Sequence, residues 1–558
     1  MEQNLTISLT SPLEKIGSAF RKFKSFEEFS ALRGEKFSFQ AVIESKELLF
    51  CDAKLSVKSD IPYKLYIVRD VPVELAAHVN RSDDGYLSKE SGLYPDLLEP
   101  FGEKTRIKLL PKEPRVIWVE LNIPSDAQNG AHEIKLLAES GTNKAEKSFS
   151  LDVISVTLPK QKLLYTQWFH YDCLSSYYGV EPMSERHMEI ISDYMDNYAE
   201  FGGNMILTPI FTPALDTEIG GERPTVQLID VRKTADGYYF SFDKLDKFMS
   251  LCESKGINHF EIAHLFTQWG AKFTPKIVDE NGEKLSGWFL SADSEEYKNL
   301  IIPLIRELKE FLKETGRLQN CYFHISDEPS DENIESYKIA VELVKNELKD
   351  LNVMDALSEP KFYEQGLVKI PVASNDRVDE FIEKNISPLW TYYCCAQGRG
   401  NVSNRFIAMP SVRNRIIALA LYKYNLEGFL HWGYNFYYSE ESKRLLSPFL
   451  TTDGDCSFPS GDPFSVYPGA DGKPMPSVRQ FVFFDALQDM RAFSLLEELG
   501  MSRDEVVCFI EKEVGEKISF RDFPKKSESF FDPYFILNVR AAVNKKIKKL
   551  IKKKNKSE

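Results

Sequence analysis

Strand-like and helix-like segments alternate along the chain from about residue 163 to residue 495, and this alternation restricts the fold more than any other feature. A strand that runs parallel to its neighbour needs a crossover connection, which is usually a helix. Repeated strand–helix units therefore predict a parallel sheet, and a count close to eight predicts an α/β fold of the (β/α)8 TIM-like barrel type. The segments with strand character are 165–172, 204–210, 258–266, 320–326, 353–357, 371–374, 389–395 and 428–437.

The flanking regions have different patterns. Residues 1–157 contain alternating or β-branched runs such as KFSFQAVIES and RVIWVELNIP, separated by turn signals such as Asn129-Gly130. This spacing predicts an all-β sandwich. Pro159 and the lysines around it mark a linker. We therefore predict an N-terminal β-sandwich domain at 1–157, a catalytic barrel at 163–495 and a C-terminal helical extension with a basic tail at 496–558.

The charge balance limits the class of partner. The 558 residues carry a formal net charge of −14, which disfavours a nucleic-acid partner. The exception is the strongly basic tail at 545–558. It could be an anion-binding or membrane-surface helix with Ile547, Leu550 and Ile551 on one face, but we expect a solvated helix end that frays.

The sequence carries no visible targeting or membrane segment. The N-terminus lacks a basic region followed by an apolar run, and no stretch approaches ~20 uninterrupted apolar residues. We therefore expect no stable membrane insertion. The eight cysteines form neither a CxxC motif nor a Cys/His zinc spacing. Free thiols in a reducing cytoplasm are the simplest interpretation.

Two adjacent carboxylates, Asp327 and Glu328, end the fourth predicted strand, within CYFHISDEP. In a barrel of this type the catalytic groups lie at the carboxyl ends of the strands. Adjacent carboxyl groups are costly to keep charged together, and this cost separates their pKa values for acid–base chemistry. An Asp-Glu pair before a proline is also common at a helix N-terminus, so the pair alone is weak evidence.

Other polar and aromatic residues accumulate at the same predicted strand ends. Trp390, Tyr392 and Cys394 alternate along one strand and should share a face. The further candidates are His170, His264, Trp269, Glu359, Trp432 and Asn435. The chain has no phosphate-binding glycine motif, no nucleophile elbow and no metal triad. Carboxylates with aromatic walls suit glycoside hydrolysis without a metal or a cofactor.

The adjacency of the two carboxylates favours one variant of that chemistry. In the usual mechanism two carboxylates flank the sugar ~5–9.5 Å apart, a span that sequence neighbours rarely achieve. They fit a mechanism in which the sugar's 2-acetamido oxygen attacks the anomeric carbon. Asp327 would then orient the acetamido N–H, and Glu328 would act as general acid and then as general base.

Several motifs together resemble glycoside hydrolase family 123 and the uncharacterised barrel domains related to it. They are HISDEP, WTYYCC, Asn404-Arg-Phe, GFLHWGYN, GDPFSVYPG, Ser477-Val-Arg479 and, in the N-terminal region, ELNIPSDAQNGAHEIKL. The resemblance covers most of the chain. It implies a retaining, exo-acting β-N-acetylgalactosaminidase that uses substrate assistance on a glycan or glycoconjugate.

The resemblance also implies roles for individual residues. Asp327 would stabilise the acetamido group, and Glu328 would be the acid/base. The hydroxyl of Tyr392, or less favourably that of Tyr393, would hydrogen-bond the acetamido carbonyl. Trp432 and Asn435 match the motif of the last strand and would contact the sugar, and we expect His170, His264 and Trp269 to line the same site.

Two alternatives remain open from the sequence. A sugar without a 2-acetamido group would need a separate carboxylate nucleophile, for which Glu359 is the candidate. The same scaffold could also be a catalytically silent carbohydrate-binding protein, because a fold does not guarantee chemistry.

Overall fold

The computed structural model describes residues 4–26, 29–46, 51–102 and 105–557. Its N-terminal part is a sandwich of two five-stranded sheets, with strand orders β1-β3-β8-β5-β6 and β2-β10-β9-β4-β7. Alternate residues of both sheets point inward and form an apolar core of their own. The strands are β1 (Leu5–Thr10), β2 (Ser30–Arg33), β3 (Lys36–Ser45), β4 (Cys51–Lys58), β5 (Tyr63–Val73), β6 (Gly92–Phe101), β7 (Arg106–Leu109), β8 (Arg115–Asn122), β9 (Gly130–Ser140) and β10 (Asn143–Thr157).

The strands that follow build the barrel and three small hairpins. They are β11 (Leu164–Gln167), β12 (Met205–Thr208), β13 (Asp230–Thr234), β14 (Gly237–Ser241), β15 (His259–Ile262), β16 (Ile277–Val278), β17 (Lys284–Ser286), β18 (Cys321–Phe323), β19 (Asn352–Leu357), β20 (Ile370–Ser374), β21 (Trp390–Tyr392), β22 (Gly428–His431), β23 (Val466–Pro468) and β24 (Pro474–Pro476).

Helices alternate with these strands and continue to the end of the chain. They are α1 (Tyr171–Tyr178), α2 (Glu185–Glu200), α3 (Asp243–Ser254), α4 (Glu295–Glu314), α5 (Ile334–Leu348), α6 (Lys361–Glu364), α7 (Val378–Glu383), α8 (Ser411–Arg415), α9 (Ile417–Lys423), α10 (Val478–Glu498), α11 (Arg503–Val514) and α12 (Tyr534–Ser557). Serine side chains cap the backbone N–H groups that begin α2, α4 and α10.

Eight strands form one parallel sheet in the order β11-β22-β21-β20-β19-β18-β15-β12. This is the chain order of a (β/α)8 barrel read around the ring, and the predicted fold class is confirmed. Large side chains fill the lumen, among them Trp390 and Met354. Gly428 of β22 lies against the Trp390 ring, where a Cβ would come within 2.0 Å of the indole. Only glycine leaves room for that tryptophan.

The first and fourth barrel strands are shorter than predicted. Strand β11 ends at Gln167, and Tyr171 and Asp172 belong to helix α1 rather than to the strand. The reason is that the His170 N–H donates to the side chain of Asn435, 2.8 Å away, and not to a neighbouring strand. Strand β18 ends at Phe323 because the N–H groups of residues 325 and 326 donate to the Asp355 carboxylate.

The C-terminal helices pack against both the barrel and the sandwich. Arg540 of α12 donates to Glu35 and Asp489 at 2.7 and 3.0 Å, and Lys548 pairs with Asp152 at 2.7 Å. Ile547 is fully buried. The expectation of a solvated, fraying end is therefore wrong for this part of the tail, because its apolar face is covered by the protein itself. Among the described residues, no helix combines the length and the hydropathy needed to cross a bilayer.

Candidate active site

An open cleft of about 620 Å³ lies at the carboxyl ends of the barrel strands. The acidic pair Asp327–Glu328 forms part of its lining, and the other lining residues are Trp168, Leu215, Asp216, Gln268, Trp269, Ala356, Tyr392, Cys394, Cys395, Leu430, Trp432 and Phe458. Carboxyl groups thus face a mostly aromatic wall. This combination matches the stacking and hydrogen-bonding surfaces that a sugar ring presents.

Asp327 is buried in this cleft and Glu328 is partly exposed, and their titrations are linked. Burial raises the pKa of Asp327 well above its ordinary value, and the nearby charge of Glu328 raises it further. Burial also raises the pKa of Glu328, although a hydrogen bond from Tyr392 opposes this shift. The pair therefore retains a proton to higher pH than an isolated carboxyl group would.

Tyr392 and Trp432 occupy the positions predicted for them. Trp390 points into the barrel lumen, and Tyr392 and Cys394 continue the same face into the cleft. The indole N–H of Trp432 donates to Asp462 at 2.8 Å, which fixes the ring on the cleft wall. Burial raises the pKa of Asp462 to about 7.

A buried ionic cluster lies behind the acidic pair. The two ring nitrogens of His324 lie 2.7 Å from Glu261 and 3.0 Å from Asp355. Burial alone would lower the pKa of His324, but these two carboxylates raise it to about 10. The resulting imidazolium lowers the pKa of Asp327 and so favours its charged form. Glu261 also accepts a 2.6 Å hydrogen bond from Trp168 in the cleft wall.

Asp216 and Gln268 provide polar groups on the loops that follow β12 and β15. Burial raises the pKa of Asp216 to about 6. The Gln268 side-chain oxygen accepts from the Asp216 N–H, and the Gln268 amide nitrogen is buried with no hydrogen-bond partner in the described part of the protein. A buried donor of this kind is costly unless a ligand satisfies it.

Three residues of the cleft have backbone conformations that are uncommon for non-glycine residues. The φ angles of Asp216, Trp269 and Glu328 are +41°, +57° and +41°. Such conformations cost of order 1–3 kcal/mol and concentrate at functional sites. Their clustering in one cleft is an observation independent of the charges.

Some predicted site residues do not line the cleft. The hydroxyl of Tyr393 points to the other face of its strand and donates to Asn414 at 3.1 Å. Asn435 uses its side chain to bind the backbone N–H and carbonyl of His170 at 2.8 and 3.0 Å. The His170 ring contacts the Trp432 carbonyl at 2.9 Å and Arg223 at 3.1 Å. Asn435 and His170 thus hold the segment that carries Trp432.

His264 and Trp269 have different surroundings. The His264 ring is buried and stacks on His324 with centroids 4.2 Å apart. Burial and the neighbouring imidazolium lower the pKa of His264 well below its ordinary value, so the ring is neutral. Trp269 is 49% exposed at the cleft rim, and its backbone N–H donates to the Asp327 carbonyl at 3.1 Å. Of these two residues, only Trp269 lines the cleft.

Glu359 does not reach the cleft. Its carboxylate is half exposed and pairs with Lys361 at 2.7 Å. This placement does not supply the separate nucleophile that a sugar without an acetamido group would require. The arginines of the same region also have structural partners, since Arg413 pairs with Asp83 and Arg415 with Asp485 and Asp489. Arg405 donates to the main-chain carbonyls of Gly433 and Asp462.

The sequence patterns did not identify several residues of this site. Three ionisable residues stand in or at the ends of mostly apolar strands, namely Glu261, His324 and Asp355. An ionisable residue in such a strand was the one sequence feature that could have marked them as functional. Asp462 and Phe458 lie in the segment 440–480, which reads only as a loop rich in glycine, proline and serine. Their position beside Trp432 depends on the tertiary path of that loop.

Residues 168–496 match the model of the glycoside hydrolase 123 catalytic domain. Among solved structures, a family 123 glycoside hydrolase from Clostridium perfringens, from a study of glycolipid glycan hydrolysis, superposes with a TM-score of 0.74. It is 14% identical, and the alignment covers 98% of this chain and 99% of that one. A putative β-galactosidase from Bacteroides fragilis is 10% identical with a TM-score of 0.32, over 88% of this chain and 62% of that one. No curated protein matches the chain in sequence.

The matched segment contains seven of the eight barrel strands, the acidic pair and the aromatic side chains of the cleft, and it makes up more than half of the chain. The structural match extends the likeness in fold to the N-terminal sandwich and the C-terminal helices. The chain therefore belongs to glycoside hydrolase family 123, and its barrel is a glycosidase catalytic domain.

Proposed function

We propose that this glycosidase removes terminal β-linked N-acetylgalactosamine with retention of configuration, and that the sugar's 2-acetamido group is the nucleophile. The observation that carries the proposal is the placement of two adjacent carboxyl groups, Asp327 and Glu328, in one buried cleft. Adjacent residues are poorly placed to flank a glycosidic bond on opposite sides. A substrate that carries its own nucleophile removes that requirement.

Glu328 is the general acid in this proposal. Burial raises its pKa, which favours the protonated form that a general acid needs. After the aglycone leaves, the same carboxylate takes a proton from the water that opens the oxazoline intermediate. In the ligand-free protein the hydroxyl of Tyr392 donates to Glu328 and stabilises its ionised form.

Asp327 holds the acetamido group. As the acetamido oxygen attacks the anomeric carbon, positive charge develops on the nitrogen, and a buried carboxylate stabilises that charge strongly. The protonated His324 behind Asp327 favours the carboxylate form that this role requires. Burial and the charges of Glu328, Asp355 and Glu261 raise the pKa of Asp327, and the charge of His324 opposes them.

The polar groups of Gln268 and Asp216 suit the hydroxyl groups of the terminal sugar. The unpartnered amide nitrogen of Gln268 can donate, and the Asp216 carboxylate can accept. Trp432 and Trp168 offer aromatic faces for the C–H surface of the ring.

A panel of 4-nitrophenyl glycosides tests the proposal. We expect turnover of the β-N-acetylgalactosaminide and release of the β-anomer first, measured by NMR. Replacement of N-acetyl by N-trifluoroacetyl should reduce kcat/KM steeply, because fluorine withdraws electrons from the attacking oxygen. Equal rates on the two substrates would exclude substrate assistance, and turnover of glycosides without an acetamido group would exclude the sugar assignment.

A further inference from the structure

A second open cavity lies beside the catalytic cleft and shares a wall with it. Leu215 and Asp216 line the cleft, whereas residues 212–214 and Thr217 of the same segment line the neighbouring cavity. The cavity encloses about 690 Å³. Its other walls come from the loops that follow β12 and β15, so a saccharide attached to the terminal sugar can extend over the shared wall.

The cavity combines aromatic and cationic groups. Trp288 and Phe289 line it, and Phe289 is 61% exposed. The indole N–H of Trp288 donates to the Gly221 carbonyl at 2.9 Å, which fixes the ring. Exposed aromatic faces beside fixed polar groups are typical of saccharide contacts. Phe289 therefore presents an aromatic face that a sugar ring can cover.

The ionic groups of the cavity leave one positive charge without a partner. Arg223 is neutralised by Asp172 at 2.6 Å, and Lys284 is paired with Glu222. Lys276 donates to the main-chain carbonyl of Arg223 and, in the described part of the chain, pairs with no carboxylate. Burial lowers the pKa of Lys276, as expected for an ammonium group that lacks a counter-ion.

The charge of the two neighbouring cavities is opposite in sign. The catalytic cleft carries Asp216, Asp327 and Glu328, which disfavour an anionic group there. The adjoining cavity offers an ammonium group in a chain whose formal net charge is −14. An anionic group attached to a neutral terminal sugar is therefore repelled by the catalytic cleft and attracted to the adjoining cavity.

We propose that this cavity binds an anionic sugar residue of the aglycone, carrying a carboxylate or a sulfate ester, with Lys276 as its counter-charge and Phe289 as its stacking surface. The proposal rests on the proposed function for its place in catalysis. It adds a substrate class: glycans in which the terminal residue is attached to an acidic sugar.

Ligand-observed NMR tests the cavity without any need for turnover. Methyl β-D-glucuronide is compared with the neutral methyl β-D-glucoside, and methyl β-D-glucoside 6-sulfate distinguishes a sulfate site from a carboxylate site. We expect at least one anionic probe to bind roughly tenfold more tightly than the neutral probe, the gain of one charge-assisted hydrogen bond. The preference should decrease as salt is added.

Lys276→Met should remove the preference, and Lys276→Arg should retain it. Lys272→Met is the matched control, because Lys272 is an exposed lysine of the same loop that does not line the cavity. Thermal unfolding of each variant establishes that it is folded. Equal binding of anionic and neutral probes by the wild type, or an unchanged preference in Lys276→Met, would overturn the proposal.

A kinetic comparison then connects the cavity to catalysis. For disaccharides with an acidic or a neutral second sugar, kcat/KM is divided by the same variant's value on the 4-nitrophenyl glycoside. In the wild type this normalised kcat/KM should be higher for the disaccharide with the acidic second sugar. In Lys276→Met it should be the same for both disaccharides. Absence of turnover on the 4-nitrophenyl glycoside would contradict the proposed function. It would leave the proposed anion site intact, because the NMR experiment measures binding and does not require turnover.

Discussion

The hydroxyl of Tyr392 donates a hydrogen bond to Oε1 of Glu328, so the tyrosine contacts the candidate acid. The family resemblance implies instead that this hydroxyl binds the acetamido carbonyl of the sugar. Both can hold in sequence: the hydroxyl stabilises the Glu328 anion in the free enzyme and turns to the acetamido oxygen when substrate enters. The contact therefore couples the protonation of Glu328 to the presence of the sugar.

Tyr392→Phe should change the pH dependence of kcat/KM. The hydrogen bond lowers the pKa of Glu328, so its loss raises that pKa. Because a general acid must be protonated, the basic limb of the bell-shaped profile should move to higher pH. The profile of Tyr393→Phe, whose hydroxyl points away from the cleft to Asn414, provides the comparison. An unshifted basic limb in Tyr392→Phe would show that Glu328 does not set it.

Glu328→Gln and Asp327→Asn should respond differently to the leaving group. Loss of the general acid should reduce the rate by about 10²–10⁴-fold for a sugar leaving group and far less for 2,4-dinitrophenolate, which leaves without protonation. Loss of Asp327 should reduce both rates to a similar extent, since acetamido attack accompanies departure of the leaving group with both substrates. The measurement is kcat/KM for the two substrates in each variant. A Glu328→Gln enzyme equally impaired on both would contradict the assignment of the acid.

His324→Asn should reduce stability in a pH-dependent manner. His324 is fully buried between Glu261 and Asp355, and its pKa is raised to about 10 in the folded protein. The folded state therefore binds a proton that the unfolded state releases above about pH 6.5, and its stabilising contribution is lost as pH rises towards 10. At pH 7 we expect a loss of about 3–5 kcal/mol, because two buried carboxylates lose their partner.

Urea denaturation of wild type and His324→Asn at pH 7 and pH 9.5 measures this effect. The difference in the free energy of unfolding should narrow at the higher pH. His187→Asn is the control, because burial lowers the pKa of His187 and its ring is neutral at both values. For His187→Asn we expect the same loss of unfolding free energy at both pH values. The same result for His324→Asn would contradict an imidazolium in the cluster.

Gln268→Glu should weaken substrate binding while it keeps the local structure. The substituted carboxylate can still accept from the Asp216 N–H, but it replaces the unpartnered amide donor with an acceptor. If that donor binds a sugar hydroxyl, kcat/KM should fall roughly tenfold or more, chiefly through KM. Gln227→Glu, in a side chain away from the cleft, is the matched control. Equal KM values for wild type and Gln268→Glu would remove Gln268 from the sugar site.

The sequence by itself determined the class of fold and the position of the acidic pair. Strand–helix alternation requires a parallel sheet with helical crossovers, and eight such units close a ring, so the barrel follows from local patterns. Asp327 and Glu328 were identifiable because they stand where an apolar strand stops. The alternation along residues 390–394 also placed Tyr392 on the cleft side and Tyr393 on the other side.

Only the tertiary structure decided which other polar groups belong to the site. His170 and Asn435 lie a few residues beyond the ends of β11 and β22 and do not line the cleft. The Asn435 side chain binds the His170 main chain, and the His170 ring contacts the Trp432 carbonyl and Arg223. Asp462 and Asp216 lie on long loops, and the partners of His324 lie on β15 and β19, the two strands that flank β18 in the barrel but are far from it in sequence. Their proximity depends on how the whole ring closes and on which buried charge needs a counter-charge, and no local pattern of residues records either condition.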